Sequence, residues 1–267
     1  MMRILPALSA IALLSVRSFF SGKRGWGSAL FIWLPPLLAL VTGLTARHDF
    51  DAEWLMNTIS LRLVLGLYLL LLALMQGLSI SSTDIEEGTS VYLYSGLLPR
   101  WGVLFTRFLV TWGLLSLLTL VSLCLVGVIS AVTRGAEDFL FLQKLALLYA
   151  LPASIGLACH LAFFILCGFA FRRPATMALI LSILWEVVVS FMMPIKFAAY
   201  TVTNNLYSIS LTLILGGEKG RWFRHVRNYE LLEYGDAILF LMILLSLFLL
   251  GGMVALERRP LMGRESS

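Results

Sequence analysis

Residues 103 to 132 read "VLFTRFLVTWGLLSLLTLVSLCLVGVISAV", thirty residues with one charge, Arg107. A helix of about 20 apolar residues already crosses a bilayer, so a run of this length dictates the solvent before anything else. It is not alone. Apolar segments that qualify or nearly qualify as spans lie at about 28–45, 61–80, 103–132, 145–171, 175–193 and 237–256. The first contains Pro35-Pro36, the fifth ends at Pro194, and Asp236 stands where it would cap the last. The composition agrees: 60% of residues are hydrophobic and 13% charged, too few charges for a water-soluble surface. The expected fold is therefore all-α, a polytopic integral membrane protein with six transmembrane helices. The whole of 1–267 reads as one transmembrane domain, with no repeat, low-complexity tract or soluble domain.

Ahead of the spans, residues 4–20 form a short apolar helix with Pro6 in its first turn. Ser9, Ser15, Arg17 and Ser18 give it a modest polar side, which suits an interfacial helix. The segment has a basic start but no small-residue cleavage site, and Arg17, Lys23 and Arg24 follow, so cleavage as a signal peptide is not expected.

Orientation follows from basic residues in short flanking segments. Arg3, Arg17, Lys23 and Arg24, the loop Arg172-Arg173, and the tail Arg258, Arg259 and Arg264 fall on one side if there are six spans. Both termini are then cytoplasmic, as expected for a multi-pass protein of the plasma (inner) membrane. Residues 195–235 oppose this, since they carry Lys219, Arg221, Arg224 and Arg227 on the far side. Thr201, Thr203, Asn204, Asn205 and Ser208 make 195–217 a poor span, because such groups need partners in lipid. We expect 195–235 to be extracytoplasmic, with 206–215 as an interfacial or re-entrant helix.

The cysteines, Cys124, Cys159 and Cys167, all lie in apolar runs and read as buried thiols rather than a disulfide framework. Cys159, His160 and Cys167 raise the idea of a metal site. His160, however, points about 100° away from its neighbour on a helix, so no metal is expected.

The chemistry-bearing stretch is "SSTDIEEGTSVYLYSGLLPR", residues 81–100. Thr83 with Glu86, or Asp84 with Glu87, fits a capping pattern that puts carboxylates in a helix's first turn, where its dipole favours them. Tyr92 and Tyr94 suit a membrane–water interface. The adjacent glutamates also raise intramembrane glutamate proteolysis. The CAAX-protease-like family that such a pair resembles carries an arginine where Val91 stands and histidines on neighbouring helices, and here His160 is the only intramembrane one. No G-x-x-x-x-G-K-[ST] is present, and "GGEKGRW" at 216–222 has the wrong order, so the chain is not expected to hydrolyse ATP or to be an enzyme.

Glu87-Gly88-Thr89, an apolar run, Arg100 and a basic residue at Arg107 resemble the signature of type-2 ABC exporter permeases. The proline is displaced, at Pro99 instead of position 97, and Thr106-Arg107 stands for Gly-Lys. The resemblance implies a permease subunit that pairs with a second permease chain, identical or different. Each chain would dock on a separate ABC ATPase subunit holding ATP and Mg, with no cofactor on this chain. Docking residues would be Asp84, Glu86, Glu87, Gly88, Thr89, Arg100 and Arg107. An insert whose charges only keep it in water is the plainer reading, and a membrane anchor recruiting soluble partners without transport is the alternative function.

Within the spans, Glu186 is costly in hydrocarbon and is a candidate pathway or gating residue. Gln76 and His160 are weaker candidates that also suit helix–helix hydrogen bonds. Arg221, Trp222, Arg224 and Arg227 suit an outer interfacial surface resting on membrane lipid, or contact with a partner. Nucleic acid is not an expected partner.

Overall fold

The computed structural model describes residues 4–21, 27, 30–45, 51–83, 99–134, 139–189, 199–215 and 232–258. Among them all regular structure is helical. In chain order the helices are α1 (Ile4–Ser21), α2 (Leu30–Thr45), α3 (Ala52–Ser81), α4 (Arg100–Arg134), α5 (Phe139–Ala170), α6 (Pro174–Glu186), α7 (Val202–Leu215) and α8 (Tyr234–Arg258). Four of them, α3, α4, α5 and α8, are long and apolar enough to cross a membrane; α2 and α6 are shorter apolar helices. The protein is thus an all-α chain with the helices of a membrane protein.

Several helix starts come earlier than expected, α5 at Phe139 rather than near 145 among them. The second apolar run begins as a helix at Ala52 rather than near residue 61, with Glu53 in its first turn. Residues 52–60 read as loop because Glu53, Asn57, Thr58 and Ser60 interrupt the apolar pattern. Leu55, Met56 and Asn57 are nonetheless buried, and Tyr149 Oη of α5 donates to Asn57 Oδ1 at 2.7 Å. The last helix starts at Tyr234, so Asp236 sits inside the first turn instead of capping it, where a carboxylate still favours the helix dipole. In α2, a turn at Trp33 precedes Pro35-Pro36, which have no N–H to give to the preceding turn.

α5 is the hub. It packs on α3, α4, α6, α7 and α8. Lipid tails are as apolar as leucine, so close packing rather than apolarity must hold such helices together. Small residues supply it: Ala146, Ala153, Gly156, Ala158, Ala162 and Gly168 of α5 are all buried. A Cβ placed on Gly77 of α3 would lie 2.6 Å from Phe164 Cβ and 3.2 Å from the Leu161 carbonyl. Only glycine permits that approach.

Hydrogen bonds add direction. Trp112 Nε1 of α4 donates to the Ser154 carbonyl of α5 at 2.9 Å, and the Ser116 and Ser154 hydroxyls lie 3.0 Å apart. Ser122 Oγ of α4 donates to the Ile32 carbonyl of α2 at 2.9 Å. Each such bond contributes about 0.6–2 kcal/mol in a membrane. α1 packs against α4, with Phe19 buried and Leu13, Leu14 and Phe20 exposed.

Candidate functional site

The site is built where α6 meets the start of α7. α7 and the residue before it are rich in groups that lipid cannot satisfy: Thr201, Thr203, Asn204, Asn205, Ser208 and Ser210 are all buried. Within the helix, Ser208 Oγ and Ser210 Oγ donate to the carbonyls four residues back, and Asn205 Nδ2 donates to the Ala199 and Thr201 carbonyls. The helix therefore turns its polar side chains onto its own backbone and lies enclosed by α3, α5 and α8. Helix formation begins at Val202, four residues before the expected 206.

A buried helix start leaves N–H groups that need acceptors. Here the first three all have one. Glu186 Oε1 accepts from Val202 N at 3.0 Å, and Oε2 from Thr203 N at 3.1 Å. Thr201 Oγ1 accepts from Asn204 N at 3.3 Å, as an N-cap side chain does. Glu186 is thus a cap supplied from another helix. It sits in a π-helical stretch, Ile183–Val188, that follows the α-helical turns of α6. Such wide turns recur at functional sites. Glu186 is 8% exposed, while its neighbours Leu184 and Trp185 face outward.

His160 of α5 stands opposite. Its Nδ1 lies 2.8 Å from the Gly156 carbonyl, which can only accept, so Nδ1 carries a hydrogen. Nε2 faces Glu186 Oε1 at 3.9 Å, beyond hydrogen-bond range, and has no hydrogen-bond partner. Both residues line a cavity of about 310 Å³ whose walls are otherwise apolar, including Leu70, Phe163, Trp185 and Phe248. Cys159 also lines it and donates its thiol weakly to the Leu241 carbonyl at 3.5 Å.

The other candidates separate from this site. Gln76 is buried in α3 but is not in the cavity wall. Cys167 lies further along α5, and no group of three or more His, Cys, Asp or Glu that could hold a metal occurs among the described residues. Arg100 opens α4, and Arg107, two turns on, is 5% exposed with Nη1 3.5 Å from the Ile80 carbonyl at the end of α3. Asp84, Glu86, Glu87, Gly88 and Thr89 lie outside the described residues, as do Arg221, Trp222, Arg224 and Arg227.

Sequence reasoning singled out Glu186 but left its partner unknown, because that partner is a pair of backbone N–H groups. The available signal was Thr201 followed by Asn204, a capping residue ahead of a helix start with no acidic residue of its own. No family model matches this chain, and no curated protein matches it.

Proposed function

We propose that this chain is the membrane-spanning permease subunit of an ATP-driven ABC transporter of the exporter type. In this reading α2, α3, α4, α5, α6 and α8 are the six spans, and both termini and residues 81–100 face the cytoplasm. The chain pairs with a second permease, and each permease docks on a separate ATPase subunit that holds ATP and Mg. This chain itself catalyses nothing.

The observation that carries the reading is how the two flanks of residues 84–98 are tied. Arg107 reaches from α4 back to the Ile80 carbonyl of α3. One residue later, Ser81 is fully buried against Gly168, where an added Cβ would collide with its hydroxyl. A push on this insert is therefore delivered to two helices and the hub at once. That is what an element receiving force from closing nucleotide domains needs, since a ligand shifts a conformational equilibrium only through differential affinity for its states. The resemblance of Glu87-Gly88-Thr89, Arg100 and Arg107 to the exporter signature supports the same assignment.

The test is reconstitution of the full chain with a co-purifying ATPase. Glu86→Ala with Glu87→Ala is expected to leave membrane insertion intact and to uncouple ATP hydrolysis from transport. Unchanged coupling removes the docking role. Failure of any Walker-motif ATPase to co-purify favours a non-transporting anchor.

A further inference from the structure

Glu186 brings a carboxylate into an apolar wall, and its two cap hydrogen bonds use one lone-pair direction on each oxygen. His160 adds a second acceptor: with Nδ1 protonated against Gly156, a neutral imidazole presents a bare lone pair at Nε2. Two acceptors then face one another 3.9 Å apart, both buried, with no donor between them among the described residues. Like-sign partial charges held so close in a low-dielectric wall repel, and a buried acceptor left unpaired is unfavourable. The two acceptors together call for a donor with at least two hydrogens, and the carboxylate favours one that carries positive charge. An ammonium nitrogen placed about 2.9 Å from each acceptor satisfies both at once.

The remaining wall describes what such a nitrogen would be attached to. Leu70, Leu181, Leu244, Phe163, Phe248 and Trp185 make it apolar, and the three aromatic rings are the surfaces on which a cation rests favourably. The volume of about 310 Å³ lies in the range of small-ligand sites. Leu184 and Trp185 line the cavity and are also about half exposed on the bundle's outer face, so the approach is from the lipid side.

We propose that the cavity between α5, α6 and α8 binds a lipid-soluble primary amine, its ammonium bridging Glu186 and His160 and its hydrocarbon against the aromatic wall. Among the described residues, the only other titratable group lining the cavity is Cys159; the described lining residues from α3, α6 besides Glu186, α7 and α8 are uncharged. A site of this kind does not depend on ATPase docking, so it and the permease reading can fail separately.

The experiment uses the purified full chain in nanodiscs, with radiolabelled n-octylamine displaced by unlabelled n-octylamine, n-octanol or n-octanoate. Saturable binding of one octylamine per chain is expected, with octanol and octanoate at least tenfold weaker as competitors. Glu186→Gln should weaken octylamine at least tenfold. Because that change also touches the α7 cap, Leu184→Trp and Phe248→Trp, which fill the cavity and leave the cap intact, should do the same. His160→Phe, which removes the second acceptor and leaves the cap intact, should weaken octylamine as well. Octanol competing as well as octylamine overturns the proposal, as does full amine affinity in both cavity-filling variants. A proton-only site, with pH-dependent protein signals but no displaceable amine, overturns it too.

Discussion

α5 and α8 are both long apolar helices, and their surroundings are opposite. Over their most apolar 18-residue stretches, 72% of α5 is buried within the protein but only 17% of α8. In water such a difference would show as a change in apolar content; here both helices are apolar throughout. What separates them is the small and polar residues. α5 carries buried alanines, Gly156, Gly168, Ser154 and His160, and uses them to receive other helices. Along α8 the large apolar side chains Leu239, Met242, Ile243, Leu247, Leu250 and Val254 are exposed. In a bilayer the greasy face looks outward, and the face of small residues and hydrogen bonds looks in.

The largest effect should come from bulk forced into the hub. Gly77→Leu drives a side chain into Phe164 and the Leu161 carbonyl and should destabilise the fold by about 3 kcal/mol. Unfolding in mixed micelles measures it. A wild-type midpoint would mean that α3 and α5 are not in the close contact described.

Next comes the imported cap. Glu186→Ala leaves the Val202 and Thr203 N–H groups without their acceptor and should cost about 2 kcal/mol. Hydrogen exchange concentrated at the start of α7 would localise the loss; uniform exchange across all helices would contradict a cap role.

A smaller change is expected for Tyr149→Phe, which deletes the bond to Asn57 while keeping the ring, at about 1 kcal/mol. A double-mutant cycle with Asn57→Ala should give a coupling of similar size, and additivity would sever the α3–α5 contact as an energetic link.

The smallest is the control on the peripheral helix. Leu247→Ala, 59% exposed on α8, should move stability by no more than about 0.5 kcal/mol. A loss as large as that of Gly77→Leu would show that a partner covers this face.

Much of this was legible as apolar run length. The all-α class and the four long helices follow from stretches that lipid alone can host. Glu186 was legible as costly, since nothing else in its run is charged. Its role was not, because the groups that satisfy it are backbone N–H groups sixteen and seventeen residues later. The start of α3 was hidden for a related reason: Asn57 reads as polar until Tyr149 is known to face it. α7 was legible as unfit for lipid from its threonines and asparagines, yet its enclosure depends on α3, α5 and α8, which no local pattern encodes. The residues expected to dock an ATPase fall outside the described residues, apart from Arg100 and Arg107.

The imported cap has a consequence for how the chain is made. As the protein leaves the ribosome, α5 and Glu186 are made before α7 exists. α7 partitions poorly on its own, because its first N–H groups have no acceptor in lipid. It can enter only a niche already prepared, with the carboxylate waiting for its first N–H groups. α8, emerging after it with an apolar outer face, then closes the niche behind it. A nascent chain arrested after residue 215 should therefore hold α7 loosely, and synthesis of the last helix should seat it.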